Sequence, residues 1–101
     1  MEKRRPTYDL KAIKLAIGSV DTLARTTSAL RDATGLGFDR GGIVEVIQSI
    51  RRQMFVKAMT PFADHRLWRD VYFVAARHLG LYVKFQADVV TEFTVMSFNE
   101  K

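Results

Sequence analysis

The chain has 101 residues, 48% of them hydrophobic and 27% charged, with no cysteine and a formal net charge of +5. That length leads to the expectation of one domain, residues 1–101, around one core. The composition leaves no disulfide, thiol nucleophile or thiolate zinc site, and no apolar run long enough to span a bilayer. The basic start, Lys3-Arg4-Arg5, is followed by no apolar signal core, so it is expected to be a solvated terminus of a cytoplasmic protein. From Asp9, apolar Leu10, Ile13, Ala16 and Ile17 recur at helical spacing until Gly18. Thr26 and Thr27 are N-cap residues for a short helix carrying Ala29, Leu30 and Ala33, ended by Gly35 and Gly37. Asp39 caps a third helix whose face is Ile43, Val44, Ile47 and Ile50, although Gly41 and Gly42 weaken its first turn.

After Arg52 the period changes to two. Gln53 to Thr60 alternates Phe55, Lys57 and Met59 against Met54, Val56 and Ala58, as a strand does. A loop with Pro61 leads to a β-rich stretch from Trp68 to about Ala75, and residues 77–80 read as a turn. Leu81 to Ala87 alternates again, with Tyr82, Lys84 and Gln86 on the polar side. Phe93 to Phe98 is apolar on both faces and predicts an interior strand. Helices first and strands afterwards give an α+β class, with N-terminal helices packed on one face of a C-terminal antiparallel sheet.

The charge is uneven. Residues 1–52 hold ten Lys/Arg against six acids, and residues 53–101 hold six against five. A polyanion or an acidic protein is therefore the expected partner. The two histidines lie far apart in sequence and no cysteine accompanies them, so no metal-ligand spacing exists and no cofactor is expected. Asp64 and His65 are read as loop residues bonding the backbone, and His78 as an exposed turn residue. Trp68 and Tyr72 are read as core anchors.

The strings Lys57-Ala58-Met59-Thr60 and Asp64-His65-Arg66-Leu67-Trp68-Arg69-Asp70-Val71-Tyr72 resemble the motility quorum-sensing regulator family, MqsR. Met1-Glu2-Lys3-Arg4, Arg25-Thr26-Thr27, Gly37-Phe38-Asp39 and the final Ser97-Phe98-Asn99-Glu100-Lys101 are similar to that family as well. The resemblance implies a RelE-like toxin that cuts single-stranded mRNA at a short sequence without metal. It implies a partner antitoxin of the MqsA type, with operator DNA reached through that antitoxin. The cleavage residues it implies are a Lys, falling on Lys57, and a Tyr, falling on Tyr82. At two positions the chain departs: Arg69 stands where the family has Gln, and Asn99 where it has Lys.

Metal-free RNA cleavage needs the 2′-hydroxyl deprotonated, the phosphorane charge stabilised and the 5′-oxygen protonated. Lys57, Tyr82 and Lys84 fall on the polar sides of their strands, and facing cations there are expected to act on one another. Lys57, Tyr82 and Arg69 are the expected catalytic residues, Arg69 as a phosphate clamp. Lys84, Met59 and Phe73 are the expected RNA contacts, Phe73 or Tyr82 by stacking an unpaired base. The bland alternative is a solvated lysine and a rim tyrosine on a module that binds RNA, DNA or an antitoxin but has lost cleavage.

Overall fold

The computed structural model of the chain describes residues 1–62, 64, 66–88 and 92–101. Each helix starts at the side-chain cap that the sequence supplies. α1 (Leu10–Ala16) follows Asp9, whose carboxylate accepts the Lys11 amide at 3.1 Å. α2 (Thr27–Gly35) follows Thr26, whose hydroxyl accepts the Ala29 amide at 3.0 Å. α3 (Arg40–Ser49) follows Asp39, which accepts the Gly42 amide at 2.7 Å. These caps satisfy donors that a first helical turn leaves unpaired. Gly42 weakens its helix for a packing reason: a Cβ there would lie 3.0 Å from the Arg77 guanidinium and 3.3 Å from the Phe38 ring. No helix among the described residues is long and apolar enough to cross a membrane.

Among the described residues one antiparallel sheet forms, in the order β1 (Glu2–Lys3), β2 (Phe55–Met59), β3 (Arg69–Ala76), β4 (Leu79–Asp88) and β5 (Glu92–Glu100). The helices lie against one face. Ile13, Ile17, Ile43 and Ile47 meet Tyr72, Val83, Phe85 and Phe98, all at 0–1% exposure. Burying such a side chain stabilises by about 1.5–3 kcal/mol, so this one-sided core holds the two layers together. The predicted α+β architecture is the one observed.

Four local readings differ from the sequence expectation. Arg52–Met54 is a 3₁₀ turn, so β2 begins at Phe55 rather than Gln53. A bulge between Phe55 and Lys57 then separates residues that strict alternation put on one face. Phe55 turns to the core, its ring 5.6 Å from that of Tyr72, while Lys57 stays on the open side. β5 is the last strand in the sheet, not an interior one. Its apolar character comes from burial of Phe93, Val95 and Phe98 under the helices. Its outer edge is partly closed by chain 24–26: the Val95 amide donates to the Ala24 carbonyl at 2.9 Å and the Thr26 amide to the Val95 carbonyl at 3.0 Å. The predicted turn shrinks to Arg77 and His78, at φ 50° and 64°, with His78 exposed. That left-handed backbone is unfavourable for non-glycine residues. Arg77 offsets it by lying 4.3 Å over the Phe38 ring and donating to the Gly37 carbonyl at 2.9 Å.

The N-terminal segment is the fourth difference. It is a strand, not a loose terminus: Glu2 pairs with Met59 and Lys3 with Ala58, and the Lys3 ammonium sits 4.2 Å over the Trp68 ring. Beyond it the chain is pinned by Asp70, fully buried in β3. Its carboxylate accepts the Thr7 amide at 3.0 and 2.9 Å and the Tyr8 amide at 2.9 Å. The Tyr8 hydroxyl donates to the Trp68 carbonyl at 2.6 Å. A carboxylate survives such burial only with donors of this kind. Asp70→Ala should therefore lower the unfolding free energy by about 3 kcal/mol, since two amides lose their acceptor. Urea denaturation measures this, and a loss below about 0.5 kcal/mol, the range of ordinary surface changes, would show that the contact is not held in solution.

Candidate active site

On the helix-free face the strand register sets side chains in rows. Lys57, Val71, Lys84 and Ser97 lie abreast across β2 to β5. Phe73, Tyr82 and Asn99 form the next row toward the Arg77 turn, and Met59, Arg69, Gln86 and Thr94 the row on the other side. Val71, only 2% exposed, is the floor of a depression of about 400 Å³. Lys57, Met59, Tyr82 and Lys84 line it together with Val56, and Glu2 and Arg4 bring β1 to its wall. The bulge allows the successive residues Val56 and Lys57 both to line it. Lys57 and Lys84 flank Val71 two strand spacings apart, about 10 Å between backbones. Both long side chains can therefore reach one phosphate group between them.

The electrostatics differ from the expectation of facing cations. The Lys57 ammonium donates to the Glu2 carboxylate at 2.8 Å, so its immediate partner is an anion. That hydrogen bond first, and the charge of Lys57 second, hold the Glu2 carboxyl below the ordinary glutamate value. Arg69 lies on the same face but beside the depression, and its Nε donates to Gln86 Oε1 at 2.9 Å. Phe73 is also beside it. Its ring meets Tyr82 edge-on at 5.4 Å and lies so close to Gly80 that a Cβ there would be 2.6 Å from it. The Lys101 ammonium lies 5.5 Å from the same ring.

The structure thus brings together four of the six expected residues and sets Arg69 and Phe73 on the rim. Glu2, Arg4, Val56 and Val71 were not anticipated. Glu2 sits more than fifty residues from its strand partner Met59 in sequence, with no periodic signal over so short a strand, and Arg4 follows it in a bend. Asp64 accepts the Arg66 amide at 2.9 Å, in keeping with its loop reading, whereas His65 lies outside the described residues. Among the described residues no three His, Asp or Glu side chains gather as metal ligands would.

Fold and depression define a small basic α+β protein with two lysines and a tyrosine gathered over an apolar floor on an open sheet face. The chain belongs to the family described as motility quorum-sensing regulator, toxin of MqsA, which matches residues 5–100. It is also 37% identical, over 103 aligned positions covering 100% of both chains, to the mRNA interferase toxin MqsR of Escherichia coli (strain K12).

The Glu2–Lys57 pair makes a measurable statement about this wall. A carboxyl held low in the folded state adds stability above its unfolded pKa, and loses it as pH falls through the folded value. Because the pair is exposed, the contribution is small. NMR titration should find Glu2 ionising below the ordinary glutamate range and returning to it in Lys57→Ala. An ordinary Glu2 midpoint in the wild type would mean that β1 does not close the depression in solution.

Proposed function

We propose that the chain is the toxin of a toxin–antitoxin pair, an endoribonuclease that cleaves single-stranded mRNA and so stops translation. The observation that carries this reading is the convergence of Lys57, Tyr82 and Lys84 over Val71, in a chain alike from end to end to an mRNA interferase. The scissile phosphate lies between Lys57 and Lys84, displacing Glu2 from the Lys57 ammonium. The 2′-oxygen attacks phosphorus, and the bond to the 5′-oxygen breaks. Lys57 and Tyr82 carry the proton transfers at the two oxygens, and Lys84 balances the charge gathering on the phosphorane. No metal takes part in these steps. Met59 and Phe73 offer apolar contact to the flanking bases. An MqsA-type antitoxin holds the toxin silent in the cytoplasm, and operator DNA is reached through that antitoxin.

With purified protein and a defined mRNA, Lys57→Ala and Tyr82→Phe should each lower the cleavage rate by about 10²–10⁴-fold while leaving the fold intact. Chelator should leave the wild-type rate unchanged. A Lys57→Ala chain as fast as the wild type would sink the assignment. Wild-type RNA binding without cleavage would favour a binding module, in keeping with Asn99 opposite Tyr82 where the resemblance implies a Lys.

Arg69 acts as a phosphate clamp. Its Nε is committed to Gln86, which leaves the terminal nitrogens of a permanently charged group for phosphate oxygens. Arg69→Gln should weaken binding of a non-cleavable RNA and flatten the log–log salt dependence by about 0.7, one single-strand phosphate contact. Adding Asn99→Lys should restore activity if the two departures compensate. A double variant no better than Arg69→Gln alone rules compensation out.

A further inference from the structure

A second concavity lies elsewhere. On the helix side of the sheet, segment 5–14 and Arg52 enclose a cleft of about 860 Å³ with Tyr72 at its inner wall. Arg5, Lys11, Lys14 and Arg52 line it against one carboxylate, Asp9, which is already bonded to the Lys11 amide as the cap of α1. Lys14 donates to the Ile50 carbonyl, whereas Arg5, Lys11 and Arg52 have no ion pair among the described residues. Two hydroxyls in its lining also lack partners. Tyr72 is 1% exposed and its hydroxyl meets no acceptor among the described residues. The Thr7 hydroxyl is buried and equally unmet. Burial, and then the Asp70 charge, push the Tyr72 phenol up to about 12, so it remains an O–H donor at any working pH. Cations at the mouth and unpartnered hydroxyls within are a donor set that the single Asp9 carboxylate does not match. Phosphate oxygens supply what is missing.

The cleft is also joined to the depression. Arg4 lines the depression and, with Lys3 and Arg5, a shallow groove of about 380 Å³; Arg5 then lines the cleft. We propose that this cleft is a second phosphate-binding site for the RNA strand, holding the backbone that flanks the cleaved bond after it has crossed β1 over Arg4 and Arg5. The proposal rests on the RNA-cleaving reading and adds to it a path. The strand bends round the sheet edge, so affinity depends on RNA beyond the nucleotides in the depression. An acidic protein segment would meet the same cations. The unbroken run of basic residues from the depression favours the RNA strand itself.

The test compares the wild type with Lys11→Gln/Arg52→Gln, two exposed positions outside the depression. The probes are RNAs of about five and about fifteen nucleotides, bracketing common single-strand site sizes, with a 2′-deoxy sugar at the cleaved position for binding. The wild type should bind the longer RNA more tightly. The double variant should bind it roughly tenfold more weakly, with a salt slope lower by about 1.4 for two lost phosphate contacts. Its binding and cleavage of the short RNA should match the wild type. Tyr72→Phe, which removes only the hydroxyl at the cleft wall, should likewise weaken the longer RNA alone. Equal affinity and slope for the longer RNA in both proteins overturns the proposal and leaves the cleft to an acidic protein partner. An equal loss on both lengths also overturns it, because the cations then act through the depression. If the wild type neither binds nor cleaves any RNA, it is the underlying RNA reading that fails.

Discussion

One buried charge organises the N-terminal third of the molecule. Asp70 sits near the start of β3 on the side facing the helices, where an unpaired carboxylate would be strongly unfavourable. It is tolerated because the Thr7 and Tyr8 amides converge on it. That convergence fixes the chain between β1 and α1, and both neighbouring sites depend on it. On one side β1 and the bend after it carry Glu2 and Arg4 to the wall of the depression; on the other, residues 5–14 form the rim of the basic cleft. The Asp70 side chain lines neither cavity, yet through Thr7 and Tyr8 it determines where both mouths are.

The sheet divides its labour by face. Toward the helices it offers a continuous apolar surface; away from them it carries lysines, an arginine, a tyrosine and an apolar floor at Val71. Such a face stays open because nothing in the helical layer is long enough to wrap round it. The bulge at Val56 sharpens the division: Phe55 goes to the core and Lys57 to the open side. Without it, regular alternation from Phe55 would carry both residues to the same face, so one extra residue in a five-residue strand matters to the composition of the site.

Much of this was legible in the sequence. Asp9, Thr26 and Asp39 announced the three helix starts because capping is local chemistry. The alternation of residues 81–87 placed Tyr82 and Lys84 on one face because a strand's period is fixed by its backbone. What stayed hidden depends on distant pairing. Nothing near Glu2 indicates that Lys57 will be its partner, and nothing near Phe93 tells an edge strand covered by chain 24–26 from an interior one. Asp70 was visible as part of a motif string, but its structural role was not, since an acid inside an apolar strand has meaning only once its amide donors are known. Arg69 and Phe73 were expected at the site, yet register sets them beside the depression rather than in it.

The first strand to be synthesised is the one that waits longest for its partner. Glu2 and Lys57 are 55 residues apart, and Thr7 and Asp70 are 63 apart. At ribosomal speeds of about 5–20 residues per second, roughly 3–11 s separate the two halves of the first pair. Lys84 and Tyr82 emerge later still. A nascent or prematurely terminated chain therefore carries the helices and their cations but no assembled depression.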